Sequence, residues 1–232
     1  MTTHAGLVTS RDLQVIRLWQ DQVIFAQRLM KIVFASGNEG KVKEVKSMLA
    51  GTGIEIVSLN SYSDVPEIFE DGISFLENAL KKARIISEFT GETVLADDSG
   101  LMVNILNGEP GIYSARYAGP KANDEENNAK LLAKLKNIPA EKRTAYFQCI
   151  LVLYRKDGTF DSFEGKWQGQ IIDEKRGSNG FGYDPIFWIP EMKMTAAELP
   201  ADIKNKVSHR GQAVAKFKSS LALSRYKHKN GA

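Results

Sequence analysis

The most constraining stretch of the chain is Thr93-Val94-Leu95-Ala96-Asp97-Asp98-Ser99-Gly100, where a short apolar run ends in two adjacent carboxylates, a hydroxyl and a glycine. A Val-Leu-Ala run suits a strand inside a sheet covered on both faces. In open α/β sheets, ligands bind outside the carboxyl ends of such strands, so Asp97 and Asp98 are expected at a strand tip. Adjacent carboxylates repel, and a hard divalent cation relieves the repulsion. Mg²⁺ is commonly held by one or two carboxylates together with substrate phosphates. The stretch points to metal-assisted phosphate chemistry, and it reads equally well as a strand-to-turn junction, because Asp, Ser and Gly are ordinary turn residues.

The flanking segments alternate strand and helix patterns. Lys31–Ser36 reads as a buried strand, and Val42, Val45, Met48 and Leu49 mark one face of the helix that follows. Their join, Ser36-Gly37-Asn38-Glu39-Gly40-Lys41, offers free backbone N–H groups at a positive helix end, a site suited to phosphate. It is not a P-loop: Ala35 stands where the first glycine is required and Val42 where Ser or Thr is. A plain Gly/Asn turn also explains it. Ile54–Leu59 alternates as a half-exposed strand. Ser74-Phe75-Leu76-Glu77 opens a helix with Phe75, Ala79, Ala83 and Ile86 on one face, and Gly91 stops it. Glu70, just before that helix, fits either a second metal ligand beside Asp98 or an acid favoured near a helix N-terminus.

Further on, Arg116 lies in a turn-rich loop and reads as a phosphate contact or a brace. Asn123–Ile138 reads as a helix and Arg143–Tyr154 as a long strand. Phe160–Glu164 and Lys166–Ile172 read as two antiparallel strands, which makes the sheet mixed. In Gly177–Pro185, glycines leave room for a base to stack on Phe181 while a carboxylate reads ring N–H groups. A glycine-rich hairpin with a core Phe fits equally. Ser208 is a natural N-cap for a last helix with Ala213, Phe217 and Leu221 inward. This puts His209 and Arg210 on its first turn, where cations oppose the helix dipole, so a ligand-facing role or a partner-facing surface suits them better than a structural one.

Composition sets the limits. The 232 residues suit a single α/β domain, and 43% hydrophobic with 25% charged residues is a soluble globular profile. A net charge of +3 from interspersed residues gives a weak field, against nucleic acid as a partner. Cys149, the single cysteine, sits in an apolar run and reads as core; with no disulfide possible, a reducing cytoplasm fits. No run approaches the roughly 20 apolar residues that span a bilayer, and no secretory leader opens the chain. A soluble, unexported protein without membrane contact is expected. Residues 1–29 read as an appended N-terminal extension, with an amphipathic helix over Arg11–Met30, ahead of a domain from 30 to 232.

Taken together, Ser36–Lys41, Glu70 before Phe75-Leu76-Glu77-Asn78-Ala79, Ala96-Asp97-Asp98-Ser99-Gly100, Pro110–Tyr117, Phe181-Gly182-Tyr183-Asp184-Pro185 and Ser208-His209-Arg210-Gly211 closely resemble the inosine triphosphate pyrophosphatase family, the XTP/dITP diphosphatases. The resemblance runs from Met30 to about Leu223. It implies an α/β fold with a long, mixed, twisted central sheet flanked by helices and two lobes around a substrate cleft. It implies Mg²⁺-dependent hydrolysis of ITP, dITP and XTP to the monophosphate and pyrophosphate, which would cleanse the nucleotide pool, in a cytoplasmic homodimer. Carried over to this chain, Ser36, Gly37, Asn38, Glu39, Gly40 and Lys41 would bind the triphosphate. Glu70 and Asp98 would hold the metal, Asp98 would also activate water, and Ser99 would contact substrate. Phe181, Gly182, Tyr183 and Asp184 would form the base pocket, with Lys204, His209 and Arg210 closing over it.

Overall fold

The computed structural model describes residues 29–230, with side chains through Leu223. The expected N-terminal helix lies outside the described residues but for its last two positions, and Met30 opens a strand. That strand, β1 (Met30–Phe34), leads into α1 (Glu39–Leu49) and β2 (Ile54–Ser58), which pairs parallel to β1. Asn38 caps α1 by accepting from the Lys41 amide at 3.0 Å. The helix α2 (Phe75–Thr90) follows, capped by Ser74, which accepts from the Glu77 amide at 3.2 Å. Gly91 ends it in the left-handed conformation, φ +67°, as its position predicted. Phe75, Ala79, Ala83 and Ile86 are all buried, as their spacing requires.

The strand β3 (Val94–Val103) runs ten residues, past the tip expected at Asp97. Its antiparallel partner β4 (Thr144–Tyr154) pairs with it along that whole length, from Val94↔Tyr154 to Val103↔Ala145. Asp97 and Asp98 therefore sit in mid-strand, and the strand-to-turn alternative falls. Pairing with β1 ends at Phe34↔Leu95, so past Leu95 β3 has lost its parallel neighbour. The site does lie outside the carboxyl end of a parallel strand, but that strand is β1.

The sheet completes as β5 (Phe160–Ile171), β6 (Phe187–Ile189) and β7 (Met194–Thr195), in the order β2-β1-β3-β4-β5-β6-β7, mixed as expected. Helix α3 (Asp124–Leu135) precedes β4, and α4 (Ala201–Val207) and α5 (His209–Asn230) end the described chain. One face of the sheet packs Phe34, Leu95 and Leu151 against α1 and Phe217 of α5. The other packs Val33, Val94 and Val152 against Ala79, Ala83 and Ile86 of α2. Cys149 is buried in the first of these layers, as read, and burial pushes its thiol up to about 12. Among the described residues, no helix is long and apolar enough to cross a membrane.

The two strands expected on either side of Gly165 are one continuous β5. Gly165 is there for a different reason. A Cβ on it would lie 1.9 Å from the His209 carbonyl oxygen and 2.9 Å from the Ala213 amide, so α5 crosses β5 with backbone touching backbone. Gly165→Ala is therefore expected to destabilise the protein by at least about 1–3 kcal/mol, the usual cost of overpacking. Urea denaturation at neutral pH checks this, and the first turn of α5 would be displaced with it.

Candidate active site

Strand alternation sends Asp97 and Asp98 to opposite faces of the sheet, which separates the two carboxylates that adjacency in sequence suggested would repel. Asp97 faces α5. Its Oδ2 accepts from Arg210 Nε at 3.0 Å, Arg210 Nη2 at 2.9 Å and Ser99 Oγ at 2.8 Å, and its Oδ1 accepts from Lys41 Nζ at 3.1 Å. Burial alone would raise its pKa, but Lys41 and Arg210, with Lys82, outweigh it and hold Asp97 far below the ordinary carboxylate range. Asp97 is thus a permanent anion that fixes cations in place.

Asp98 faces α2. Its Oδ1 accepts from the Ser99 amide at 3.1 Å and lies 3.6 Å from Lys82 Nζ. Its Oδ2 is buried without a hydrogen-bond partner among the described residues. Burial raises its pKa, Glu70 adds to the rise, and Lys82 does not cancel it. The same Lys82 Nζ donates to Glu70 Oε1 at 2.8 Å, so both expected metal ligands face one point. The backbone of Glu70 is fixed from another direction by Arg116 Nη2, which donates to its carbonyl at 2.7 Å. Arg116 thus braces the Glu70 loop and also lines the cleft. Asn78, fully buried on α2, ties in the same loop by accepting from the Gly72 amide at 2.8 Å.

Lys41, Glu70, Lys82, Asp98, Arg116 and Arg210 border a cleft of about 380 Å³. Of the expected residues, Ser36, Gly37, Asn38, Lys41, Glu70, Asp98, Ser99, Phe181, Gly182, Tyr183, Asp184, Lys204, His209 and Arg210 line it. Glu39 and Gly40 do not. Glu39 is exposed at the start of α1, where it favours the helix dipole. Gly40 is small for another reason, since a Cβ on it would lie 2.6 Å from Phe181 Cδ1. The expected phosphate loop and the expected base platform are thereby in direct contact.

Several expected substrate contacts are committed within the protein. Asp184 Oδ2 accepts from Lys204 Nζ at 2.5 Å and from the Phe181 amide at 2.9 Å, so the expected reading of ring N–H groups by this carboxylate is corrected for that oxygen. Tyr183 is buried in the core and donates its hydroxyl to the Ser114 carbonyl at 2.8 Å. Arg210, expected to face ligand, is 2% exposed, and its remaining nitrogen Nη1 donates to Glu44 Oε2 at 2.5 Å. Glu44 Oε1 accepts from Lys204 Nζ at 2.9 Å. Asp97, Arg210, Glu44, Lys204 and Asp184 thus form one continuous chain of alternating charges below Phe181, whose ring lies 5.0 Å from Lys204 Nζ.

His209 is buried and stacks on Phe147 at 4.8 Å, and its Nδ1 has no hydrogen-bond partner among the described residues. Burial, then the nearby charges of Arg210 and Lys204, drive its pKa well below normal and keep the ring neutral. The ring is therefore not the cation on the first turn of α5 that the sequence suggested.

Sequence reasoning missed Lys82, Glu44, Asn78, Asp124 and Asn128. Lys82 and Asn78 do carry a signal, because they are polar residues on the face of α2 that Ala79, Ala83 and Ile86 mark as buried. Nothing in the sequence separates Glu44 from its charged neighbours on α1.

A model of the Ham1 family matches residues 32–220. The dITP/XTP pyrophosphatase of Geobacter sulfurreducens is 49% identical over 193 residues, covering 83% of this chain and 97% of the relative. That of Vibrio cholerae is 49% identical over 191 residues, covering 82% and 95%. Among solved structures, a HAM1 protein from Coxiella burnetii aligns with a TM-score of 0.76 at 42% identity, covering 83% of this chain and 98% of that one. A nucleoside-triphosphatase / dITP/XTP pyrophosphatase from Mycobacterium abscessus gives 0.66 at 44% identity, covering 81% and 97%. The resemblance carried by the motifs thus holds over residues 32–220, and the chain belongs to the Ham1 family.

Proposed function

We propose that this protein hydrolyses ITP, dITP and XTP to the nucleoside monophosphate and pyrophosphate with Mg²⁺. The observation that carries the reading is Asp98, a buried carboxylate with one anchored oxygen and one free, set opposite Glu70 in a cleft otherwise rich in cations. The names of the Geobacter and Vibrio relatives agree with it.

Among the described residues no three His, Cys, Asp or Glu side chains cluster as a metal cage. That suits Mg²⁺, which is usually held by one or two carboxylates and completes its shell with waters and phosphate oxygens. Glu70 and the unpartnered Asp98 Oδ2 fit this role. Bound there, Mg²⁺ would neutralise phosphate charge and acidify water.

The chain's own residues do the rest. An α-helix leaves its first N–H groups without intrahelical partners, so α1 and Lys41, with Ser36 and Gly37, cradle the triphosphate. Lys82 sits where charge develops on the phosphate oxygens. The Asp98 carboxylate takes a proton from the water that attacks the α-phosphorus, and pyrophosphate leaves. The base stacks on Phe181. The Nδ1 of neutral His209, without a hydrogen-bond partner among the described residues, is free to meet the polar edge of a 6-oxo purine, and a donor and acceptor pattern fixed for that edge can discriminate strongly against adenine.

The test is pyrophosphate release from ITP, dITP, XTP, ATP, GTP, dTTP and UTP, each with Mg²⁺ and with a chelator. Metal-dependent release is expected from the first three, with kcat/KM for ATP lower by about 10²-fold or more. Equal rates with ATP or with dTTP would overturn the substrate assignment.

A further inference from the structure

Gly182, between the Phe181 platform and buried Tyr183, has both of its own backbone polar groups taken by one helix. Its amide donates to Asp124 Oδ2 at 2.6 Å, and its carbonyl accepts from Asn128 Nδ2 at 2.9 Å. Both partners stand one turn apart on α3, and Asn128 Nδ2 also donates to the Asp124 carbonyl at 2.8 Å, which ties the two contacts together. Asn128 is 3% exposed, and Asp124 itself lines the cleft. Gly182 has a φ of +64°, in which a side chain is strained, although no atom lies within 4 Å of a Cβ placed there. The glycine is therefore demanded by backbone direction, and that direction is the one α3 holds. Asn127, beside Asn128 on α3, binds another part of the cleft wall, accepting from the Ala118 amide at 2.8 Å and donating to the carbonyl of cleft-lining Ala115 at 3.2 Å.

We propose that Asp124 and Asn128 are positioning residues for base selection: from α3 they clamp the Gly182 backbone and so fix the Phe181 platform relative to the rest of the cleft wall. The proposal rests on the proposed function for what the platform binds, but not for the clamp itself. A side chain on a glycine-rich loop is free to drift, and a misplacement of about 1 Å can cost 10²-fold in reactivity. Hydrogen bonds to both ends of one residue remove that freedom. Of the two, the bond from the Gly182 amide to a carboxylate is the stronger type.

The experiment compares Asp124→Ala, Asp124→Asn and Asn128→Ala with the wild-type protein. Backbone hydrogen exchange is read without nucleotide, and steady-state kinetics with ITP and GTP. In Asp124→Ala the Gly182 amide is expected to exchange about tenfold faster or more, the effect of losing a charge-assisted bond, while amides of β3 and β4 are unchanged. KM for ITP is expected to rise by about tenfold, with kcat much less affected and the preference for ITP over GTP reduced. Asp124→Asn keeps an acceptor of the same shape and should restore most of both, which a simple loss of stability would not explain. Asn128→Ala should reproduce the loss from the carbonyl side.

Unchanged exchange at Gly182 in Asp124→Ala would overturn the clamp. Faster exchange with KM and ITP preference unchanged would overturn its role in selection. If the wild-type protein releases no pyrophosphate from ITP, the proposed function fails instead. The selection claim is then judged on ITP and GTP binding by calorimetry, where equal affinities in wild type and Asp124→Ala would overturn it.

Discussion

Asp98→Asn is expected to lower kcat for ITP by about 10²–10⁴-fold, the usual contribution of a positioned base, while the nucleotide still binds. The variant keeps shape and loses only the ability to accept a proton and to hold a cation. Its stability should set it apart from a damaged protein. Burial raises the Asp98 pKa above its unfolded value, so the ionised group weakens the folded state at neutral pH. A neutral amide removes that penalty, and the thermal midpoint without metal should stay level or rise. Asp97→Asn should do the opposite, because there the ionised form is the one that three cationic side chains favour. In the wild type, kcat/KM should fall on the acid side, since Asp98 must lose its proton to act. Steady-state kinetics and calorimetry on the two variants check all of this. A kcat for Asp98→Asn within a few-fold of wild type would remove Asp98 from the mechanism.

Arg210→Met carries the largest expected effect on stability. Arg210 is 2% exposed and is shared between Asp97 and Glu44, both buried or nearly so. Its removal leaves the buried cluster one cation short, with Asp97 held by Lys41 and Glu44 by Lys204, and breaking a buried ion pair costs about 3–5 kcal/mol. For a chain of this length that corresponds to a fall in thermal midpoint of about 10 °C. The loss should depend on pH in a defined direction. In the wild type the Asp97 pKa is depressed, so its contribution is fully present above the unfolded value near 3.8 and is lost as pH falls through the folded value. In Arg210→Met the folded pKa rises, and acid then neutralises the excess negative charge. The gap between variant and wild type should be widest near pH 7 and narrow below about pH 4. A constant gap would mean that packing, not charge, is what Arg210 supplies. Arg210→Lys should recover only part, because a single ammonium cannot meet Asp97 and Glu44 together.

The strands, helix faces and caps were legible wherever local periodicity and capping chemistry decided the outcome: Ser74, Asn38 and Gly91 sit as their residue types require. Errors came where a distant segment decided. Gly165 looks like a strand break in sequence, but it is a contact point for α5, some forty residues on. Asp97 and Asp98 look like one dicarboxylate until the strand is seen to continue, whereupon alternation divides them into a structural anion and a free one. The site motifs were found because each loop carries its own glycines and polar residues. What joins those loops was not legible, because Glu44, Lys82 and Asn128 each meet partners far away in sequence. Arg210 shows the same limit: as a cation on the first turn of a helix it looks free for ligand, yet it is held from two sides by carboxylates on other elements.

The central claim is that a water activated at Asp98 attacks the α-phosphorus. It is tested most directly by hydrolysing dITP in ¹⁸O-labelled water with Mg²⁺ and separating the products. Deoxyinosine monophosphate carrying the label and unlabelled pyrophosphate are expected. Label in the pyrophosphate, or release of orthophosphate with the diphosphate left behind, would place the attack on another phosphorus and contradict it.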